Sequence, residues 1–94
     1  MTLYQSIKAA DFRGQDLRFT AAARADSGNA YLWLSIDVRR GPSIFLHREV
    51  TSDQWQQYQI DAEVPEEAFR ITYGLAYVGY DAACIDDISI GSVN

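Results

Sequence analysis

The sequence predicts an all-β protein, an antiparallel β-sandwich of jelly-roll type with about seven strands. Three observations carry that expectation. Apolar residues recur with period two along most of the chain. Turn-forming residues punctuate the alternating segments at short, regular spacing. No segment holds the 3.6-residue period for the three turns an ordinary helix needs. The 94 residues make one domain, 1–94, with no linker, repeat or low-complexity tract.

Residues 3–9 read as a first strand of weaker pattern. Leu17, Phe19, Ala21 and Ala23 then alternate with Arg18, Thr20, Ala22 and Arg24, the signature of a strand buried on one face. Asp26-Ser27-Gly28-Asn29 supplies turn chemistry. Leu32, Leu34, Ile36 and Val38 alternate with Tyr31, Trp33, Ser35 and Asp37, and Arg40-Gly41-Pro42 ends that run. Residues 43–50 form a strand with Ile44 and Leu46 on one face and Phe45 and His47 on the other. After the polar connector Ser52-Asp53-Gln54, Tyr58, Ile60, Ala62 and Val64 alternate with Gln57, Gln59, Asp61 and Glu63, with Trp55 a structural residue at the strand entry. Pro65-Glu66-Glu67-Ala68 closes this segment in a turn. Residues 69–78 are apolar on both faces and belong in the middle of a sheet; Gly74 and Gly79 mark a bend, a bulge or a close backbone approach. The chain turns at Gly79-Tyr80-Asp81 into a last strand over 83–90, where Cys84 is expected to be buried as a small hydrophobe.

Composition excludes several classes. At 48% hydrophobic and 22% charged, the chain is globular and not disordered. A net charge of -5 repels phosphate backbones, so no nucleic-acid binding is expected. No apolar stretch is long enough to span a bilayer, and no secretory signal pattern is visible, so no membrane association and a cytoplasmic location are expected. The single cysteine permits no intrachain disulfide. Of eight basic residues seven are arginines, which suits planar, bidentate and stacked contacts, although a GC-rich coding sequence would give the same bias.

Tyr4-Gln5-Ser6-Ile7 followed by Phe12-Arg13-Gly14-Gln15-Asp16-Leu17-Arg18-Phe19-Thr20-Ala21 is similar to the opening "Q-x-I … yrGk-x-lrlsa" of galactose-binding-like jelly rolls, the fold of many carbohydrate-binding modules. Tyr31-Leu32-Trp33-Leu34-Ser35-Ile36-Asp37 resembles the "a-x-LwLrvD" strand, and Asp53-Gln54-Trp55-Gln56-Gln57-Tyr58 the "s-x-dW-x-x-y" entry. Ile71-Thr72-Tyr73-Gly74-Leu75, Gly79 and Ile85-Asp86-Asp87-Ile88 follow the closing "i-x-fGl … G … iDDv". Order and spacing agree along essentially the whole chain. The resemblance implies a jelly roll whose members bind ligands, and it implies a leading segment before the first strand that this sequence does not show. A sandwich without that segment would expose a sheet edge, which two copies would repair by pairing; a homodimer is therefore expected.

The strongest ligand-binding candidates are Trp33, Tyr31, Asp37, Tyr77, Tyr80 and Arg18, with Tyr73 among the aromatics. A sugar offers an apolar C–H face and a hydroxyl rim, which aromatic rings beside Arg, Asp or Gln side chains match. For Trp33 two readings stand: a sugar platform, or an anchor at a subunit interface. Asp86 and Asp87 are weak metal candidates, because the resembling family places a calcium-ligating aspartate nearby; the other reading is an aspartate capping backbone amides. As strand neighbours they point to opposite faces, so they cannot pair as acid and base. His47 and Cys84 have no motif that would make a nucleophile–base site, and one His and one Cys do not make a zinc site. The sequence thus predicts no enzyme, no catalytic residues and no cofactor. It predicts a ligand-binding module for a saccharide, with a self-associating structural module as the alternative.

Overall fold

The computed structural model describes residues 2–25, 30–77 and 83–93. Seven strands build it: β1 (Thr2–Lys8), β2 (Asp16–Ala25), β3 (Ala30–Val38), β4 (Ile44–Val50), β5 (Gln56–Glu63), β6 (Ala68–Tyr77) and β7 (Ala83–Ser92). A short 3-10 turn, Ala10–Phe12, follows β1; the sequence pattern gave no sign of it. The strands form two sheets, one of four in the order β1-β6-β3-β4 and one of three in the order β5-β2-β7, and every pairing is antiparallel.

The alternation read from the sequence becomes the division between core and surface. Leu17, Phe19, Ala21 and Ala23 of β2 are buried against Leu32, Leu34 and Ile36 of β3 and Ile71, Tyr73 and Leu75 of β6. Phe19 from one sheet meets Tyr73 from the other at 5.2 Å between ring centres, tilted by 53°. Burying each large apolar side chain stabilises the fold by roughly 1.5–3 kcal/mol. The alanines of β2 let the sheets approach while β3 and β6 fill the gap with bulk. As the sequence indicates, β6 lies between two strands; β2 is the central strand of the smaller sheet.

Strand β7 departs from simple alternation. Its register with β2 shifts between Thr20 and Ala22, so Asp87 and Ile88 oppose a single residue, Ala21. This is a β-bulge, and Asp87 within it lies in the left-handed region at φ 51°. The extra residue resets the phase. Ile85 and Ile90, five positions apart, both pack against the core, while Ile88 is 49% exposed. Asp86 and Asp87 are both exposed, and the Asp86 carboxylate accepts the Asp87 amide at 2.8 Å. The expectation that they alternate across a regular strand is therefore corrected. Cys84 is also corrected: paired with Arg24 on the outer side of β2, it is half-buried rather than in the core. Trp55, just before β5, is 50% exposed, with the Arg24 guanidinium 5.7 Å from its ring centre.

Gly74 sits where β6 passes β1. A Cβ there would run into the Leu3 carbonyl and the Tyr4 backbone, which is the close approach its sequence context suggests. Gly91, in β7, has open space at the same point. Gly74→Ala should cost about 1–3 kcal/mol in urea unfolding, because β1 must shift away from β6. Gly91→Ala should change stability by no more than about 0.5 kcal/mol.

Candidate functional site

The outer face of the four-stranded sheet gathers the aromatic side chains that the core does not use. Cross-strand register sets its rows. Tyr4, Gly74, Trp33 and His47 lie side by side across β1, β6, β3 and β4. Ser6, Thr72, Ser35 and Phe45 form the next row, and Lys8, Arg70 and Asp37 the one after. Because Gly74 has no side chain, Tyr4 and Trp33 meet above it at 6.4 Å, although a strand separates theirs. Trp33 stacks on its diagonal neighbour Phe45 at 6.1 Å and 23°. Phe45 touches His47 at 5.9 Å, and His47 meets Tyr31 edge-on at 5.9 Å. The outcome is a continuous set of five rings spanning the sheet.

Exposure within the set is uneven. Tyr4 is 66% and Phe45 53% exposed, whereas Trp33 is half-buried between them. The Trp33 indole nitrogen is buried with no hydrogen-bond partner. Trp33 is thus the support of the platform, and Tyr4 and Phe45 offer most of its open surface. The sequence reading missed both as site residues. The signal for Phe45 was its position opposite in phase to Ile44 and Leu46; Tyr4 could be placed beside Trp33 only once the strand order was known.

A polar border adjoins the rings. The Ser6 and Thr72 hydroxyls are 3.0 Å apart. Asp37 accepts the Ser43 hydroxyl at 2.6 Å and the Arg70 guanidinium at 2.7 Å. The Ser43 hydrogen bond, followed by that from Arg70, holds the Asp37 carboxyl below its ordinary range, against a smaller opposing effect of burial.

Other expected site residues lie elsewhere. Tyr77 packs against the core, and Tyr73 is buried, donating its hydroxyl hydrogen to Gln5 at 3.0 Å. Both follow the inward phase of β6. Arg18 is on the opposite sheet, paired through its fork with Asp61 at 2.9 and 3.2 Å. Its hydrogen bond lowers the Asp61 pKa and raises that of Arg18. Tyr80 lies outside the described residues, as does Gly79. Of the six, then, Trp33, Tyr31 and Asp37 share one face. Among the described residues no group of three or more His, Cys, Asp or Glu side chains is placed to hold a metal, and Asp86 and Asp87 have no further carboxylate beside them. No helix among them is long and apolar enough to cross a membrane.

Comparison with known proteins agrees with this architecture. No protein-family model matches the chain, and no curated protein matches it. Among solved structures, one described as "CBM4 structure and function" superimposes with a TM-score of 0.63 at 17% identity, over 98% of this chain and 61% of that one. TmCBM61 in complex with beta-1,4-galactotriose gives 0.60 at 19% identity, over 98% and 62%. The fold is that of a carbohydrate-binding-module-like jelly roll. The chain spans about three-fifths of the length of these two structures.

The Asp37 contacts make a pH prediction. A carboxyl whose folded-state pKa is depressed contributes stability that is complete above the unfolded carboxylate range and is lost as pH falls through the folded value. Asp37→Asn should therefore lower the melting temperature at neutral pH and leave it unchanged relative to the parent in strong acid. In a side-chain carboxyl NMR titration, the Asp37 midpoint should lie below those of exposed aspartates and rise in Arg70→Gln.

Proposed function

We propose that this chain is a non-enzymatic module that binds a saccharide on the outer face of its four-stranded sheet. One observation carries the reading. Exposed Tyr4 and Phe45 flank Trp33 on a face that the core does not require, bordered by hydroxyl and charged groups. Aromatic faces suit the C–H face of a pyranose, and the adjoining Ser6, Thr72, Ser35, Arg70 and Asp37 offer donors and acceptors to its hydroxyl rim. The similarity to TmCBM61, whose solved complex contains beta-1,4-galactotriose, supports a saccharide as the ligand class. A binding role asks for no reacting group. His47, the chain's one histidine, is packed between Phe45 and Tyr31, which supports a place in the ring set over a catalytic role.

The purely structural alternative requires the same rings to be covered in an assembly. Glycan-array binding separates the two. The parent should bind one glycan class. Tyr4→Ala and Phe45→Ala should each weaken binding about fivefold or more, since truncating an aromatic that carries binding energy costs about 1 kcal/mol or more, while melting temperatures stay near that of the parent. Trp33→Ala is the weaker probe, because removing a half-buried ring flanked on both sides also destabilises the sheet. No binding by the parent on a broad array, or full binding by both variants, would overturn the proposal.

A further inference from the structure

The four sheet edges are not equally protected. β4 carries Arg48 and Glu49 and is entered through Gly41-Pro42. β5 alternates Gln57, Gln59, Asp61 and Glu63 on its exposed side. β7 carries Asp86 and Asp87 and is broken by the bulge. Charges, prolines and bulges are the features that keep a sheet edge from pairing with another chain. β1 has none of them before its last residue. Its register with β6 is unbroken from Thr2 to Lys8, and Lys8 is its only charge.

Among the described residues, the space beside this edge is also unfilled. Leu3 points to the core side yet is 51% exposed, and Ile88 of β7 is 49% exposed. Together with Tyr73, Gly74 and Ile85 they line an apolar groove of about 220 Å³ between the edges of the two sheets.

We propose that β1 is a pairing edge occupied by β1 of a second copy of this chain, antiparallel about a two-fold axis at Gln5. The strand's own sequence favours this occupant. With Gln5 beside Gln5 of the other copy, Leu3 faces Ile7 on the core side and Tyr4 faces Ser6 on the outer side. Lys8 falls opposite Thr2, so no like charges meet. A shift by one residue sets core-side positions against outer-side ones. A shift by two puts Leu3 opposite Gln5 or Gln5 opposite Ile7, losing the apolar match. In the Gln5-centred register the apolar residues Leu3 and Ile7 close over the groove that holds Ile88. The two four-stranded sheets become one of eight, with both ring platforms on the same side and Tyr4 of each near the axis. Such an arrangement would let one extended ligand engage both faces at once.

Charge at the axis tests this. The parent should elute at twice its chain mass of 10.6 kDa by light scattering. Gln5→Lys and Gln5→Glu should each elute as monomers, because like charges then meet at the axis, and an equimolar mixture of the two should restore the dimer. Restoration also shows that both variants fold. Independently of any variant, amide exchange of residues 3–7 in the parent should slow as protein concentration rises through the dissociation range. A parent that stays monomeric would overturn the proposal, and would leave the edge to a strand from elsewhere. A dimer that both variants retain would overturn it too, by placing the interface on another surface. Glycan binding is read separately and does not decide either result.

Discussion

At Gly74, β6 comes so close to β1 that no side chain fits between them, and much of the molecule follows from that contact. On the core side it brings Gln5 within reach of Tyr73, whose ring meets Phe19 and so joins the two sheets. On the outer side it leaves an empty position in the row, across which Tyr4 and Trp33 meet. One missing methyl group therefore secures the first strand and makes the aromatic surface continuous.

The bulge in β7 works in the opposite sense. A regular strand in phase with Ile90 would have turned Ile85 outward; the extra residue at Asp87, in the left-handed conformation, turns it back toward the core. It gives the core Ile85 and Ile90 and leaves Ile88 at the margin beside Leu3. Aspartate accepts this conformation more readily than most residues, and here its neighbour's carboxylate also satisfies its amide. The Asp86 carboxylate, one of the two weak metal candidates, is engaged by that backbone amide.

Five arginines supply ionic, polar or cation–π contacts. Arg18 forks onto Asp61, Arg70 holds Asp37, Arg24 lies over Trp55, and Arg13 and Arg48 reach backbone carbonyls. No charged or polar side chain is buried in the core among the described residues. The two faces of the sandwich differ accordingly. The smaller sheet carries the Arg18–Asp61 ion pair on its outer side; the larger carries rings with a charged border, the pattern suited to a ligand that is apolar on one face and hydroxylated at its rim.

The sequence by itself determined the class of fold, the seven strands and the sides of β2, β3, β4 and β5, because a period of two converts directly into inside and outside. It also marked Trp33, Tyr31 and Asp37 as partners, since residues of like phase on one strand share a face. It could not show that Tyr4 and Phe45 join them, that Arg18 is on the other sheet, or that Tyr77 turns inward. Those facts depend on strand order and on pairing between segments tens of residues apart, which no local pattern records. Only the tertiary structure decided them, and only it revealed the bulge, because a single added residue changes the phase of a strand without changing its composition.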